Sequence, residues 1–280
     1  MLIDRDTLLQ ALPIVVEQSF SRRDTILYAL GVGATELDYV YEDGLKALPS
    51  MAVVLANPGS IWRDPTYGFD WQKILHGEQR LSIHRPLPVD GTVRGETEFE
   101  ELIDKGPDNG AIAHLTRRLY NSEHEPLATV RSAIFLRGDG GCGGPSQAAY
   151  APHATPETRA PDFTISNRTA ETQAMIYRLS GDFNPLHIDP KVAQAAGFDR
   201  PILHGLATYG VICRSVVQHL LNNDPERLKT LDVRFSAPVY PGETIEIDCW
   251  LEASNEVSFI ARAKERDIVV VKNGFAEYTE

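Results

Sequence analysis

The sequence predicts an α+β fold built from two copies of one unit, and three observations predict it. Alternating segments rich in β-branched and aromatic residues fill much of 80–136 and 231–278. Residues 203–221, charged only at Arg214, read as a helix buried on most faces. An internal similarity at nearly constant offsets links the two halves.

In chain order, strands are expected at 80–84, 92–104, 110–122 and 126–136 in the first half. The second half repeats them at 231–236, 244–252, 257–265 and 268–278. Alternation such as Val233/Phe235 and Ile245/Ile247 leaves each sheet one buried face. The repeat aligns Tyr28-Ala-Leu30 with Tyr177-Arg-Leu179 at an offset of 149. It aligns Leu81, Ile83, Pro86, Thr92 and Val93 with Val233, Phe235, Pro238, Thr244 and Ile245 at an offset of 152. The stretch 138–162 is rich in glycine, alanine and proline, and no Gly-Lys-Ser/Thr follows its glycines, so it reads as a linker and not a phosphate loop. The resulting division is a first unit at 1–137, a linker at 138–162 and a second unit at 163–280.

The segment richest in chemistry is Tyr177-Arg-Leu-Ser-Gly-Asp-Phe-Asn-Pro-Leu-His187. Gly181 reaches backbone angles closed to other residues and Pro185 pushes Asn184 towards an extended conformation, so Asp182, Asn184 and His187 belong on a bent loop. Asp189-Pro190 then caps a short helix at 191–196 that Gly197 ends. A carboxylate and an imidazole sharing one water can act as an acid/base pair. By itself Asp-x-Asn-Pro is more often a capped surface turn than a catalytic loop. Gly205, at the first turn of the uncharged helix, leaves free N–H groups and the positive end of the helix dipole open to an oxyanion.

A chain of 280 residues with 42% hydrophobic residues can bury a sizeable core. Its net charge of −12 argues against nucleic acid or an anionic membrane as partner, and an anionic ligand would need a local basic patch. Cys142, Cys213 and Cys249 are too scattered for a disulfide framework or metal cluster, which points to a reducing compartment. The first residues carry acids and the last are Glu-Tyr-Thr-Glu280, so neither a signal peptide nor a peroxisomal tail is read, and no apolar run has membrane-spanning length. Cytoplasm is the expected location.

Residues 177–187 together with His204-Gly205 resemble the signature of the hydratase 2 group in the MaoC-like family. The likeness extends to Tyr28-Ala-Leu-Gly-Val-Gly33, His76-Gly-Glu-Gln79, Asp104-Lys-Gly106 and the glycines of 138–144, so it covers nearly the whole chain. It implies a double hot-dog, in which each copy wraps an antiparallel sheet around a helix and the two sheets join. It also implies addition of water to a trans-2-enoyl-CoA to give the (R)-3-hydroxyacyl-CoA, or the reverse. In that reading Asp182 and His187 hold one water, Asn184 helps orient it, and the Gly205 N–H receives charge from the thioester oxygen. His76, Gly77, Lys105, Phe183, Pro185, Leu186 and Phe235 are the expected acyl-CoA contacts. Read alone, His76-Gly77 could begin a strand, Lys105 sit in a turn and Phe235 belong to the core.

The first copy has Gly31-Val-Gly-Ala-Thr-Glu-Leu-Asp38 where the second has Ser180-Gly-Asp-Phe-Asn-Pro-Leu-His187. It lacks the proline and histidine, so one active site per chain is expected, with the first copy shaping the acyl pocket. The resemblance calls for no metal and no cofactor, coenzyme A being part of the substrate, and for a homodimer. The acyl group is left open among fatty, branched, steroid side-chain and small dicarboxylic chains. A hot-dog thioesterase or a non-catalytic acyl-CoA-binding module is the alternative.

Overall fold

The computed structural model describes residues 3–280 except Tyr150, Glu157, Ala253 and Ser254, and it leaves the Ser60 side chain undescribed. The expected linker therefore lies partly outside the described residues, as do Met1 and Leu2 of the N-terminal stretch. Ten strands form one antiparallel sheet: β1 (Ile14–Phe20), β2 (Ile74–Ile83), β3 (Gly91–Asp104), β4 (Ala111–Tyr120), β5 (Pro126–Leu136), β6 (Phe163–Arg168), β7 (Leu228–Phe235), β8 (Thr244–Leu251), β9 (Glu256–Ala263) and β10 (Ile268–Tyr278). Six α-helices accompany them among the described residues: α1 (Arg5–Gln10), α2 (Arg22–Gly31), α3 (Leu37–Val40), α4 (Gln173–Tyr177), α5 (Pro190–Ala195) and α6 (Gly205–Leu220).

The strand order is β1-β3-β4-β5-β2-β7-β10-β9-β8-β6. It is a palindrome in repeat terms, since β1 to β5 of the first copy correspond in order to β6 to β10 of the second. The register at the join carries the symmetry to single residues. Gln79 pairs with Val233, Arg80 with Asp232 and Leu81 with Leu231. At the offset of 152, Arg80 is the equivalent of Asp232, so a local twofold axis passes through that pair. The equivalent tyrosines Tyr28 and Tyr177 also meet across the molecule, with ring centroids 6.0 Å apart. Gly31 lets α2 approach closely here, because a Cβ on it would lie 3.1 Å from the Tyr177 Cα. The duplication seen as sequence similarity is thus a pseudo-dimer sharing one sheet.

The symmetry fails in the interior. The second copy curves around α6, a 16-residue helix whose Ala207, Tyr209, Ile212, Cys213, Val216 and Val217 are buried. At the corresponding place the first copy has, among the described residues, only short 3₁₀ turns: Pro49–Val53, packed against β2, β5 and α6, and Ser60–Arg63. The cause is local: Gly44, Pro49, Pro58, Gly59, Pro65 and Gly68 interrupt the segment, and a proline inside a helix removes a hydrogen bond and clashes with the preceding turn. The expectation of a helix in each copy therefore holds only for the second, and the concave face of β1, β3, β4, β5 and β2 is left partly uncovered.

The edge strands β1 and β6 were not expected from the sequence. Both are polar on one face, with alternating partial burial, as edge strands commonly are. The main core runs through both copies from Phe20 and Tyr28 to Val271 and Ala276, and a smaller cluster around Phe69, Phe99 and Leu102 closes the far end of the first copy.

Gly210 is where α6 and the end of α2 touch: a Cβ there would overlap Val32 and come within 3.0 Å of the Tyr28 hydroxyl. Gly210→Ala is expected to lower stability by about 1–3 kcal/mol through overpacking. Urea denaturation with an unchanged midpoint would show that the two copies are less tightly packed there than described.

Candidate active site

The loop following α4 is built by its own side chains. Gly181 takes φ +117°, which a side chain would strain. An oxygen of Asp182, Oδ1, accepts the Asn184 N–H at 3.1 Å, and Asn184 Oδ1 accepts the Leu186 N–H at 3.1 Å. Pro185 opens a 3₁₀ turn, Pro185–His187, and Asp189 caps α5 by accepting the Lys191 N–H at 2.8 Å. These bonds leave Asp182 Oδ2 uncommitted and facing His187, whose Nε2 lies 4.0 Å away. Asp182 is half exposed, whereas the His187 side chain is only 10% exposed.

Hydrogen bonding fixes the imidazole tautomers. His187 Nδ1 lies 2.9 Å from the Ile202 carbonyl, which can only accept, so Nδ1 carries the proton and Nε2 presents its lone pair towards Asp182. His204, buried as the residue before α6, donates from Nε2 to the Asp182 carbonyl at 3.2 Å, and its Nδ1 has no partner. The two rings stack with centroids 3.7 Å apart and planes 27° from parallel. Burial lowers the pKa of both histidines, and for His204 the neighbouring His187 lowers it further. The pair is therefore neutral at physiological pH. Asp182, His187 and His204 each place a ligand-type atom within 4.8 Å of the others. Stacked imidazoles direct their in-plane lone pairs side by side, however, whereas a metal held at about 2 Å needs them to converge.

His76 approaches from the first copy because of a bulge. It pairs with Ile134, but Glu78 pairs with Ala133 and Gln79 with Ser132, so Gly77 is the extra residue. The bulge puts His76 on the same face as Gln79 and Leu81, the face opposite to the one simple alternation would give it. There its Nε2 donates to the Glu78 carbonyl at 3.1 Å and its ring meets Phe235 edge-on at 5.4 Å. Burial pulls its pKa down to about 4.

A cavity of about 1200 Å³ begins at this loop and runs across the concave sheet of the first copy. Asp182, Phe183, Asn184, Pro185, Leu186 and His76 line one part of it. Its apolar walls include Val16, Ile61, Trp62, Ile74, Leu115 and Ile134, which β1, β2, β4, β5 and the segment after the 3₁₀ turn supply. It occupies the region that a helix equivalent to α6 would fill.

Among the expected site residues, the fold brings Asp182, Asn184, His187, Phe183, Pro185, Leu186 and His76 together, with Gly77 forming the bulge. Gly205 begins α6 beside them and its bare face meets the Phe235 ring, with a Cβ there 3.6 Å from it. The first intrahelical bonds run from Ala207 and Thr208 to the His204 carbonyl, so the Gly205 and Leu206 N–H groups precede the helical ladder. Lys105 is elsewhere: it does not line the cavity, and its Nζ donates to the Ser146 carbonyl at 2.7 Å in the turn after β3. The neighbouring Asp104 accepts the N–H groups of Gly106, Gly141 and Gly143 and so ties the glycine-rich stretch to that turn. His204 is the functional neighbour not singled out beforehand as a site residue. Its signal was a lone histidine directly before an uncharged helix. Tyr177 and Ser180 also line the cavity with buried hydroxyls that have no partner.

Two family models cover most of the chain, a MaoC-like domain over residues 152–273 and an MFE-2 hydratase 2 N-terminal domain over residues 18–138. The chain belongs to the MaoC-like family, in its hydratase 2 group. It is 40% identical to a probable enoyl-CoA hydratase 2 of Dictyostelium discoideum over 93% of this chain and 92% of that one. It is 38% identical to the peroxisomal multifunctional enzyme type 2 of Mus musculus over 92% of this chain, but spans only 36% of that longer protein. The crystal structure of a MaoC-like dehydratase from Phytophthora capsici matches with a TM-score of 0.90 at 35% identity, covering 99% of this chain and 98% of that one. The double hot-dog expected from the resemblance is the architecture observed.

The histidine environment has a measurable consequence. In a pH titration followed by imidazole NMR, His187 should titrate below 6.5, and His204 and His76 should stay neutral down to about 4. Because the unfolded chain protonates these histidines near 6.5 and the folded one only at lower pH, they remove stability as pH falls from 6.5 to their folded values, with no further loss below. A titration of His187 at or above 6.5 would contradict the buried neutral pair.

Proposed function

We propose that the chain adds water to trans-2-enoyl-CoA thioesters to give (R)-3-hydroxyacyl-CoA, or runs the reverse dehydration. The observation that carries this is the 4.0 Å gap between Asp182 Oδ2 and His187 Nε2 at the end of an acyl-sized cavity. A water hydrogen-bonded at about 2.8 Å to each atom bridges that gap. Donating to both, it is oriented with its remaining lone pair available to C3.

In the proposed reaction the water oxygen bonds to C3, and the C2–C3 π pair moves onto C2 and the thioester oxygen. The proton lost by the water passes to the Asp182/His187 pair and returns to C2 on the same face. Asn184, whose Oδ1 is spent inside the loop, keeps its amide N–H groups to orient the water. The N–H groups at the start of α6 receive the enolate charge, a contribution worth about 3 kcal/mol per donor in comparable sites. A neutral His187 with its lone pair at Nε2 suits a proton acceptor. No cofactor is invoked, because the thioester itself polarises the alkene.

The mouth of the cavity supplies the local positive charge that an acidic chain needs to take a CoA anion: Arg63 and Arg137 line it beside the exposed ring of Trp71, over which Arg63 stacks at 4.3 Å. Support for the substrate class also comes from relatives named enoyl-CoA hydratase 2. We further propose a homodimer in a reducing compartment such as the cytoplasm. The three free cysteines fit the latter, although some relatives are named peroxisomal. Among the described residues no helix is long and apolar enough to cross a membrane.

Asp182→Asn and His187→Gln should each lower hydration of crotonyl-CoA or a longer enoyl-CoA by about 10²–10⁴-fold while leaving the circular dichroism spectrum unchanged. Wild-type rates in either purified variant would refute the assignment. Release of free CoA thiol by the wild type, without hydration, would make the chain a thioesterase instead.

A further inference from the structure

Deep in the first copy the cavity wall carries a charge that hydration does not use. Arg117, on the concave face of β4, is 6% exposed and lines the cavity. Its Nη2 donates to the carbonyls of Ala52 at 3.3 Å and Val53 at 2.7 Å in the 3₁₀ turn, and its Nε has no partner. Burial alone draws its pKa down, to about 10, with no acidic neighbour contributing, so it remains a cation at neutral pH. Thr97 stands directly opposite on β3, also lines the cavity, and has a buried Oγ1 without a partner. The carboxylates that do line the cavity are elsewhere: Glu17 is exposed on edge strand β1, and Asp182 belongs to the reactive loop.

The sheet register locates this pair relative to the reaction. Thr97, Arg117, Val130 and Leu81 form one rung across β3, β4, β5 and β2, while His76 and Ile134 belong to a rung nearer the other end of the strands. Two strand spacings across and four residues along place the Arg117 Cα roughly 16 Å from that of His76. Between them lie Leu115 and Val130, apolar surface suited to methylene groups. A desolvated guanidinium without a counter-ion is costly, and its planar fork of donors matches planar or tetrahedral oxyanions, of which a carboxylate is the one an acyl chain carries at its end.

We propose that Arg117, assisted by Thr97, binds a carboxylate at the far end of the acyl chain, so that the preferred substrates are enoyl-CoA thioesters of dicarboxylic acids. The proposal rests on the hydratase reading and names the acyl group it serves. Arg117 is a specificity-determining residue in this scheme and takes no part in the bond changes at C2 and C3.

The test compares enoyl-CoA substrates of matched length ending in a carboxylate, a hydroxyl or a methyl group, over a series of chain lengths. At the best length the wild type should show kcat/KM at least ten-fold higher for the carboxylate, and Arg117→Met should lower the carboxylate-to-methyl ratio at least ten-fold. An equal loss on all three substrates in Arg117→Met, or a wild-type preference for the methyl or hydroxyl end at every length, would overturn the proposal and leave Arg117 as a strut for the 3₁₀ turn. If the variant fails to fold, binding of the saturated ω-carboxyacyl-CoA and acyl-CoA to the wild type decides. Tighter binding of the former by at least ten-fold is expected, and equal binding overturns the idea. Hydration of none of the substrates, with both saturated thioesters still bound, would fail the hydratase reading and not the carboxylate site.

Discussion

The pairing of β2 with β7 is the constraint on which everything else depends. It fuses two half-sheets into one, and its register around Arg80 and Asp232 admits no slip, because a shift by one residue would turn Leu81, Leu231 and Val233 out of the core. The same ladder fixes what faces what across the molecule. His76 precedes the paired stretch on β2 and Phe235 follows it on β7, so the ring contact between them follows from strand register.

The two copies then divide the work along chemical lines. The second supplies polarity: a self-bonded loop with one free carboxylate oxygen, an imidazole whose tautomer a backbone carbonyl sets, and a helix start. The first supplies shape and an apolar wall, with one bulge at Gly77 turning His76 inward. Burial acts consistently on the three imidazoles by favouring their neutral forms, so the carboxyl group of Asp182 faces uncharged rings. A lone carboxylate beside neutral proton carriers is an arrangement suited to moving one proton without stabilising a permanent ion pair.

Much of this was legible in the sequence, and the gaps have identifiable causes. Strands with a buried face, such as β3, β5 and β10, lie within a residue of their expected bounds because alternation is strong where one face is dry. The edges β1 and β6 escaped notice because exposure mixes Glu17, Gln18, Ser19 and Asn167 into them. The first half of β2 was invisible because Gly77 breaks the two-residue period that identifies a strand. Asp182, Asn184 and His187 were readable because Gly181 and Pro185 force their loop locally. Arg117 was not. Within Thr-Arg-Arg it looks like any surface arginine, and only the distant turn at Ala52 and Val53 buries it. Lys105 lies away from the cavity it was expected to line, in a turn whose neighbouring Asp104 anchors the glycine-rich stretch, and that tertiary tie leaves no local mark in the sequence.

The missing helix in the first copy has a consequence for how such a chain can change. A symmetric pair of identical units would need every substitution to suit both a reactive centre and a hydrocarbon-filled interior. Covalent fusion releases the N-terminal unit from that double duty, so its breaks at Pro49, Pro58 and Gly59 could accumulate without disturbing the Asp182–His187 loop. Trp62, Leu115 and Arg117, which line the cavity from the first copy, can thereby vary without altering the loop that the second copy contributes.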